Sequence, residues 1–252
     1  MKPNRLCQLA LAAMLMLAAP LRAESPLANL DDADRAALQE EIRTYLLENP
    51  EILVEMYSLL EERQRAATAE TEQSLVSDNA KALFEDGFSY VGGNPEGDVT
   101  LVEFLDYQCG YCRKAHPDVA RLIEEDGNIR WIVKEFPILG PNSELAARAA
   151  ISAKLAEGDE TYARLHEALM TSPPVTEQNL DAMLTANGLD AAKIRAGMDA
   201  PEVTRQIAAT HELARTLNIA GTPTFVLGDE LVRGYVPLDQ LETIVANKRS
   251  DD

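Results

Sequence analysis

The sequence predicts an α/β fold whose sheet is interrupted by an inserted all-helical domain and preceded by a helical N-terminal arm. Three observations predict it. An apolar run over residues 99–107 is followed by a helical segment and then by a second apolar run over 129–136. Residues from about 142 to 218 are almost wholly helical in pattern, and residues 224–227 again have the composition of a strand. Strands that alternate with helices are typical of α/β domains.

The first 23 residues predict a secretory signal peptide. Lys2 and Arg5 form a short basic start, residues 6–19 are apolar, and Ala23 ends a candidate cleavage site. The alternative is a membrane anchor, but a helix needs about 20 apolar residues to span a bilayer. We therefore expect cleavage near Ala23 and export to the periplasm.

The chain is strongly acidic, with a formal net charge of -19. Proteins that bind nucleic acids need Lys and Arg to neutralise phosphates. We therefore expect no nucleic-acid partner and no docking on an anionic membrane surface.

The cysteines indicate a chemical role. Cleavage of the signal peptide would remove Cys7 and leave only Cys109 and Cys112 in a protein exposed to an oxidising compartment. A disulfide between them would close so short a loop that it would add little entropic stabilisation. The pair therefore needs a chemical role rather than a structural one.

Residues 24–84 predict a helical arm and linker ahead of a catalytic domain at 85–252. One helix should end at Asn49-Pro50 and a second should begin at Glu51. The second helix carries an apolar stripe of five residues, namely Ile52, Leu53, Met56, Leu59 and Leu60. The stripe needs a partner, either the body of its own subunit or copies of itself. We expect a homo-oligomer, and beyond Glu61 either a solvated helix or a flexible link.

The run Cys109-Gly110-Tyr111-Cys112 lies at the junction of a predicted strand and a predicted helix. Backbone N–H groups and the helix dipole at such a junction favour a thiolate, which is the nucleophile in disulfide exchange. We expect Cys109 to be the exposed attacking sulfur and Cys112 to be the resolving thiol.

The cysteine pair could also form a structural zinc site or an inert local disulfide. A zinc site needs about four ligands, and the chain has neither a second CxxC nor histidines at ligand spacing. An inert disulfide would give the pair no redox function, although the loop is too short for the bond to add much stability. We expect no metal and no cofactor other than the redox-active disulfide itself.

Acidic residues on the two predicted strands have two interpretations. Glu103 interrupts an apolar run, where a buried carboxylate is costly unless it has a task. That task could be to exchange the Cys112 proton through water, and the alternative is an exposed acid. Lys134 and Glu135 suggest an ordinary charged pair at the end of the second strand.

Thr222 and Pro223 precede the strand at 224–227, and a Thr-Pro bond in this position is a candidate cis peptide. A cis-proline loop beside the sulfurs would offer backbone groups with which a client chain could pair as an added strand. The alternative is an ordinary trans turn.

Taken together, these features resemble the DsbA-like branch of the thioredoxin superfamily over about residues 92–246. The resemblance depends on three runs, namely 102–112 (Val-Glu-Phe-Leu-Asp-Tyr-Gln-Cys-Gly-Tyr-Cys), 136–137 (Phe-Pro) and 221–225 (Gly-Thr-Pro-Thr-Phe). It implies a thioredoxin-like fold with an inserted helical domain at about 142–218. It also implies a nucleophile at Cys109, a resolving thiol at Cys112, a buried acid at Glu103 and a cis-proline loop at Thr222-Pro223.

The dipeptide between the cysteines, Gly110-Tyr111, differs from the Pro-His of the archetypal strong oxidant of that family. It has no imidazole to stabilise the thiolate. By the resemblance, Gly110 and Tyr111 join Thr222 and Pro223 as substrate-binding residues.

Residues 42–51 of the arm are similar to the N-terminal segment of the suppressor-of-copper-sensitivity protein C (ScsC) type. Some proteins of that type oligomerise through this arm and act as disulfide isomerases. The resemblance implies misoxidised or unfolded exported proteins as clients, and a membrane thiol–disulfide electron-transfer partner.

Three functions are consistent with the sequence. The favoured one is an oligomeric disulfide isomerase or reductase of the periplasm. The second is a monomeric dithiol oxidase that a membrane quinone-linked partner recharges. The third, from a different class, is a Cu(I)-binding copper-tolerance protein, because soft thiolates suit that ion.

Overall fold

The computed structural model describes residues 30–250, so the expected signal peptide lies outside the described residues. The chain divides into two compact units, of which the first ends at Arg63 and the second begins at Gln64. The helices are α1 (Asp32–Glu48), α2 (Glu51–Asp78), α3 (Ala80–Phe84), α4 (Gly110–Asp126), α5 (Pro141–Glu157), α6 (Asp159–Thr171), α7 (Leu180–Ala186), α8 (Ala191–Gly197), α9 (Pro201–Thr216) and α10 (Leu238–Ser250). The strands are β1 (Tyr90–Gly93), β2 (Val99–Leu105), β3 (Ile129–Glu135), β4 (Thr224–Leu227) and β5 (Glu230–Arg233).

The first unit contains α1 and the beginning of α2. Asp31 caps α1, because its side chain accepts a hydrogen bond of 2.8 Å from the backbone N–H of Asp34. Asn49 ends α1, and its side-chain amide donates to the carbonyl of Tyr45 at 2.8 Å. Both boundaries at Asn49-Pro50 agree with the sequence prediction, because Pro50 has no N–H with which to continue the first helix.

The second unit contains a five-stranded sheet in the order β1-β3-β2-β4-β5. β2 and β3 are parallel, whereas β1 with β3, β2 with β4 and β4 with β5 are antiparallel. The β2–α4–β3 sequence is therefore the predicted βαβ unit. Helices α5 to α9 occupy the predicted helical insertion between β3 and β4.

β1 is a strand that the sequence analysis did not predict. Its Gly92 and Gly93 begin the run 92–98, whose Gly, Asn, Pro and Asp residues predict turns, yet they pair with Trp131 and Arg130 of β3. A Cβ atom on Gly93 would lie 2.4 Å from the carbonyl oxygen of Ile129. Glycine is therefore present because the neighbouring backbone comes too close for a side chain.

The two faces of the sheet have separate cores. On one face, Val102, Phe104 and Ile132 pack with Val76 of α2 and Leu83 of α3. Val76 and Leu83 therefore belong to the catalytic unit, which begins at Gln64 and not at the predicted residue 85. The opposite face packs against α4, α10 and the helical insertion.

Lys134 and Glu135 lie on opposite faces of the sheet, because successive side chains of a strand alternate. The Lys134 Nζ atom makes an ion pair of 2.5 Å with Asp86 and donates to the carbonyl of Ala82 at 2.8 Å. The interpretation of Lys134 and Glu135 as an ordinary pair with each other is therefore wrong. No helix of residues 30–250 is both long and apolar enough to cross a membrane.

Candidate active site

The strand-to-helix junction places the two thiols at different depths. Cys109 is the N-cap residue of α4, and Cys112 lies in the first turn of that helix. Cys109 is 8% exposed and Cys112 is 0% exposed. Cys109 is therefore the more accessible thiol, although it is less open to solvent than the sequence analysis expected. Both cysteines are free, so the structure shows the dithiol form.

The surroundings of Cys109 stabilise its thiolate and lower the pKa of the thiol to about 5. The largest cause is a hydrogen bond from the Cys112 side chain, opposed by partial burial. The Thr222 side chain and the backbone N–H groups of Tyr111 and Cys112 contribute further. In the protonated form, Cys109 Sγ donates to the carbonyl oxygen of Thr222 at 3.3 Å.

Cys112 has the opposite tendency. Its pKa is raised far above that of an ordinary thiol, first by its hydrogen bond to Cys109 and then by burial. A buried thiol without a cation nearby holds its proton. Cys112 therefore needs a base before it can act as a nucleophile.

Glu103 lies in the middle of β2 and is 2% exposed. Its Oε2 atom accepts a hydrogen bond of 3.1 Å from Trp131 Nε1. Its Oε1 atom has no hydrogen-bond partner among the described residues. Burial raises the pKa of Glu103 to about 7, so this carboxyl can gain or lose a proton near neutral pH. The alternative of an exposed acid is wrong.

The loop before β4 lies beside the redox pair. The peptide bond between Thr222 and Pro223 is cis. Thr222 is partly exposed and Pro223 is buried. Gly110 is exposed and Tyr111 is 64% exposed, so the dipeptide between the cysteines faces solvent. The structure thus brings six of the predicted residues together at the start of α4 and the loop before β4, namely Cys109, Gly110, Tyr111, Cys112, Thr222 and Pro223. Glu103 is buried within electrostatic reach of Cys112.

Asp106 and Arg113 hold the active-site loop, and the sequence analysis gave neither residue a role. Asp106 is 1% exposed, and its carboxylate accepts the backbone N–H groups of Gln108, Ile138 and Leu139 at 2.8–3.0 Å. The Arg113 guanidinium donates to four carbonyl oxygens, those of Tyr107, Leu169, Met170 and Ser172. These contacts tie the segment before Cys109 to the β3–α5 loop and to the end of α6. Most of these partners, namely Ile138, Leu139, Leu169, Met170 and Ser172, are distant in sequence, so no local pattern predicts the contacts.

A second buried carboxyl, that of Glu135, was also missed. Its Oε1 atom accepts hydrogen bonds from the hydroxyl groups of Tyr107 at 2.7 Å and Tyr162 at 2.6 Å. The Tyr107 hydroxyl also lies 3.1 Å from His166 Nδ1. Burial raises the pKa of Glu135 to about 8 and lowers the pKa of His166 to about 3.

The described residues contain no group of three or more His, Cys, Asp or Glu side chains that could hold a metal ion.

A thiol of low pKa at a helix N-terminus, above a buried thiol and a buried acid, is equipped for thiol–disulfide exchange. On a sheet of this topology, that arrangement defines a thiol–disulfide oxidoreductase of thioredoxin-like fold. The chain belongs to the family described as "DSBA-like thioredoxin domain", which matches residues 100–246. Residues 34–67 match a second family, "Copper resistance protein ScsC N-terminal domain".

Solved structures agree with this assignment. A thioredoxin-like oxidoreductase from Silicibacter pomeroyi DSS-3 is 43% identical, with a TM-score of 0.64 over 68% of this chain and 97% of that one. ScsC from Proteus mirabilis in a transitional conformation is 27% identical, with a TM-score of 0.65 over 89% of this chain and 99% of that one. The ScsC match extends over the arm as well as the catalytic unit.

Among characterised proteins, "Disulfide bond formation protein D" of Bacillus subtilis is 24% identical over 164 residues, which are 61% of this chain and 73% of that protein. The Na(+)/H(+) antiporter NhaA 1 of Salinispora arenicola is 27% identical over 162 residues. This chain spans only 24% of the antiporter's length.

Proposed function

We propose that this protein is a periplasmic thiol–disulfide oxidoreductase that acts on the cysteines of exported proteins as an oligomeric disulfide isomerase or reductase. The observation that carries the proposal is the apolar surface of the first unit, together with the match of residues 34–67 to the ScsC N-terminal domain. The geometry of the thiols supports the chemistry. The basic, apolar first 23 residues support export.

The first chemical step is an attack of the Cys109 thiolate on a client disulfide. A bond forms between Cys109 Sγ and one client sulfur, the client S–S bond breaks, and the second client sulfur leaves as a thiolate. In isomerisation, another client thiolate attacks the mixed disulfide, forms a different client disulfide and releases the Cys109 thiolate. The client then has a new disulfide pairing, and no electrons have been transferred overall.

In reduction, Cys112 resolves the mixed disulfide. Its proton passes through water to Glu103, its thiolate attacks Cys109 Sγ, and the client leaves as a thiol after taking a proton from solvent. Cys109 and Cys112 are then oxidised to a disulfide. A membrane thiol–disulfide electron-transfer partner would return the pair to the dithiol form.

The client would bind across the exposed dipeptide and the cis-proline loop. The 3.3 Å distance between Cys109 Sγ and the Thr222 carbonyl means that a strand paired with this loop would bring its own sulfur close to Cys109. Tyr111 would offer an apolar contact beside the sulfur. No sequence-specific pocket is needed for such a client, because the main chain supplies the pairing.

The arm supports an oligomer. Of the fourteen large apolar side chains exposed in the described residues, eleven lie in the first unit, and Leu53 is the most exposed at 74%. These are Leu38, Ile42, Tyr45, Leu46, Leu47, Leu53, Val54, Met56, Tyr57, Leu59 and Leu60. Because burying one such side chain contributes roughly 1.5–3 kcal/mol, copies of the arm would gain substantially by associating. Several catalytic units near one client also raise the effective concentration of the thiols.

The proposal is tested by reactivation of a ribonuclease with scrambled disulfides, using the reduced mature protein. The full chain is compared with a chain that begins at Gln64 and with the double variant L53E/L60E. Truncation at Gln64 is preferred to truncation near Leu83, because Val76 and Leu83 are buried in the catalytic unit. E55Q, an exposed change on the same helix, is the matched control.

We expect the full chain and E55Q to sediment as oligomers and to reactivate the client, and the other two proteins to be monomers that still reduce insulin. A monomeric full chain that only oxidises reduced clients would instead identify a dithiol oxidase. Cu(I) titration of the reduced protein, with C109S as the control, would reveal a copper-handling role in place of isomerisation.

A further inference from the structure

Glu135 is a buried carboxyl that the exchange reaction does not use. It is the last residue of β3, it is 6% exposed, and its Oε2 atom has no partner among the described residues. Its Oε1 atom is held by the hydroxyl groups of Tyr107 and Tyr162. A buried carboxyl with one oxygen fully engaged and the other unpaired is costly to keep in a core unless it has a function.

The register of the sheet places Glu135 on the same face as Glu103. In the parallel pair β2–β3, Glu103 lies opposite Val133, and Glu135 is two residues further along the strand. Side chains of a strand alternate, so Val133 and Glu135 project to one face, which is that of Glu103. The charge of Glu103 acts on Glu135 and contributes to raising the pKa of Glu135, so the two carboxyls lie within electrostatic reach of each other. No ion pair of the described residues includes either carboxyl.

Other titratable or charged groups face Glu135 from every neighbouring element. They are Glu103 of β2, Asp106 and Tyr107 of the loop after it, Tyr162 and His166 of α6, Tyr90 of β1 and Lys154 of α5. Tyr90, Lys154 and Glu135 line one narrow cavity. Lys154 itself makes an ion pair of 3.0 Å with Asp159. Glu135 therefore lacks a dedicated cation within this group.

Two carboxyls in one region of low dielectric cannot both ionise without strong repulsion. We propose that Glu135 is a positioning residue of the disulfide exchange, which shares a single negative charge with Glu103 and thereby controls how readily Glu103 takes the proton of Cys112. While Glu135 is protonated, Glu103 is free to ionise and to act as the proton acceptor. When Glu135 ionises, Glu103 holds its own proton more tightly.

The charge of Glu135 also acts on the redox equilibrium. In reduction by glutathione the Cys109–Cys112 disulfide breaks, and two glutathione thiols supply two electrons and become glutathione disulfide. One of the protons they release stays on Cys112, and Cys109 is left as a thiolate. A negative Glu135 repels that thiolate and so disfavours the reduced state. The raised pKa of Glu135, about 8, places this effect in the alkaline range. The inference rests on the proposed exchange chemistry, with Glu103 as proton acceptor, and not on isomerase activity or oligomerisation, so a failed isomerase assay would leave it intact.

The test measures the equilibrium between the full-length protein and glutathione from about pH 6 to pH 9.5, by acid quenching and alkylation of free thiols. We expect E135Q and the wild type to agree near pH 6, where Glu135 is protonated. Near pH 9 we expect E135Q to be reduced about three- to tenfold more readily, since one pKa unit of coupling is a tenfold change in an equilibrium constant. E144Q removes an exposed carboxylate that pairs with Arg148, and it should match the wild type at every pH.

The coupling to Glu103 has its own readout. E103Q removes the charge of Glu103, which otherwise opposes the ionisation of Glu135, so Glu135 should ionise at a lower pH in E103Q than in the wild type. The redox equilibria of E103Q and E103Q/E135Q should therefore begin to differ at a lower pH than those of the wild type and E135Q do. Y162F removes a hydrogen bond that favours the ionised Glu135, so its alkaline transition should move to higher pH rather than disappear. Y162F also keeps the test decisive if E135Q does not fold.

Three results would overturn the inference. One is an E135Q curve that coincides with the wild type at all pH values. Another is a constant offset that does not depend on pH, which would indicate a structural effect only. The third is that E103Q and E103Q/E135Q begin to differ at the same pH as the wild type and E135Q do.

Discussion

Cys109 and Cys112 have the same side chain, and only their positions separate their chemistry. Cys109 stands at the N-cap of α4, where the Cys112 side chain and backbone N–H groups stabilise its thiolate. Cys112 lies one turn further in and keeps its proton, because it is buried and donates to Cys109. The hydrogen bond between them lowers the pKa of Cys109 and raises the pKa of Cys112. Cys109 can therefore attack as a thiolate, whereas Cys112 must first lose its proton to a base.

The proposed exchange uses Glu103 as the base for Cys112, and under that proposal E103Q should slow resolution of the mixed disulfide. We expect release of a reduced client peptide to fall by about 100-fold near pH 7, at the lower end of general-base effects. The initial attack by Cys109 should change little. Rapid mixing followed by acid quench, with the mixed disulfide quantified by mass, separates the two steps.

E124Q is the matched control for this prediction, because Glu124 is an exposed carboxylate on α4. It should resolve the mixed disulfide at the wild-type rate. Equal resolution rates in E103Q and the wild type would show that water alone accepts the Cys112 proton.

Residues could be predicted from the sequence where a short motif carries the chemistry. Cys109, Cys112 and Pro223 stand in such motifs, and Glu103 stands out as a charge in an apolar run. Glu135 does not, because the hydroxyl that engages it belongs to Tyr162, 27 residues further along the chain. A charged residue at the end of a strand looks the same in sequence whether it faces water or a buried tyrosine.

Helices could be predicted from the sequence where a residue that breaks or caps a helix marks their end. Asn49-Pro50 separates α1 from α2, and Gly158, with a φ of 87°, separates α5 from α6. β1 was missed because Gly92 and Gly93 have the composition of a turn. The strand exists because β3 offers it a partner, and that long-range pairing leaves no local trace.

Gly93 should be among the least tolerant positions of β1. It has a φ of 66°, and an added Cβ would lie 2.4 Å from the carbonyl oxygen of Ile129. We expect G93A to lower the free energy of unfolding by about 2–4 kcal/mol, because left-handed strain and a backbone clash add together. Urea unfolding followed by Trp131 fluorescence measures the change.

G87A separates the two causes. Gly87 has a φ of 76°, but no atom lies within 4 Å of the position of its Cβ. Its substitution should cost about 1 kcal/mol, the contribution of left-handed backbone alone. If G93A and G87A were equally destabilising, the close approach of Ile129 would be irrelevant.

At the scale of the whole molecule, composition and element order predicted the α/β class and the place of the helical insertion. They could not predict where the catalytic unit begins. The end of α2 is polar in pattern, yet Val76 packs beneath the sheet, and Arg233 makes an ion pair with Glu72. Such contacts form only when the whole sheet is assembled, and β4 and β5 of that sheet follow the helical insertion in the sequence.

The buried carboxyls also determine how the stability of the catalytic unit depends on pH. Burial raises the pKa of Glu103 to about 7 and that of Glu135 to about 8, both above the ordinary value of 4.5. The folded state therefore binds these protons more tightly than the unfolded state does. This stabilisation is fully present below about pH 4.5 and is lost as the pH rises through 7 and 8.

We expect the free energy of unfolding of the oxidised protein to fall by about 2–4 kcal/mol between pH 5 and pH 9. The oxidised form is required, because the low pKa of Cys109 in the dithiol form would stabilise the folded state with the opposite dependence on pH. Asp98 and Asp126, whose pKa values are lowered by Arg249, act below this range. The single tryptophan of the chain, Trp131, reports unfolding of the catalytic unit in urea.

E103Q/E135Q isolates the cause, because glutamine keeps the shape of each side chain but has no proton to lose. Its stability should rise between pH 5 and about 6.5, because burial keeps His166 neutral in the folded state, and should then be nearly independent of pH up to 9. The double variant should therefore exceed the wild type only on the alkaline side. E144Q should follow the wild-type curve. A double variant with the wild-type slope would mean that both carboxyls stay neutral across this range, and that neither is available to accept the proton of Cys112.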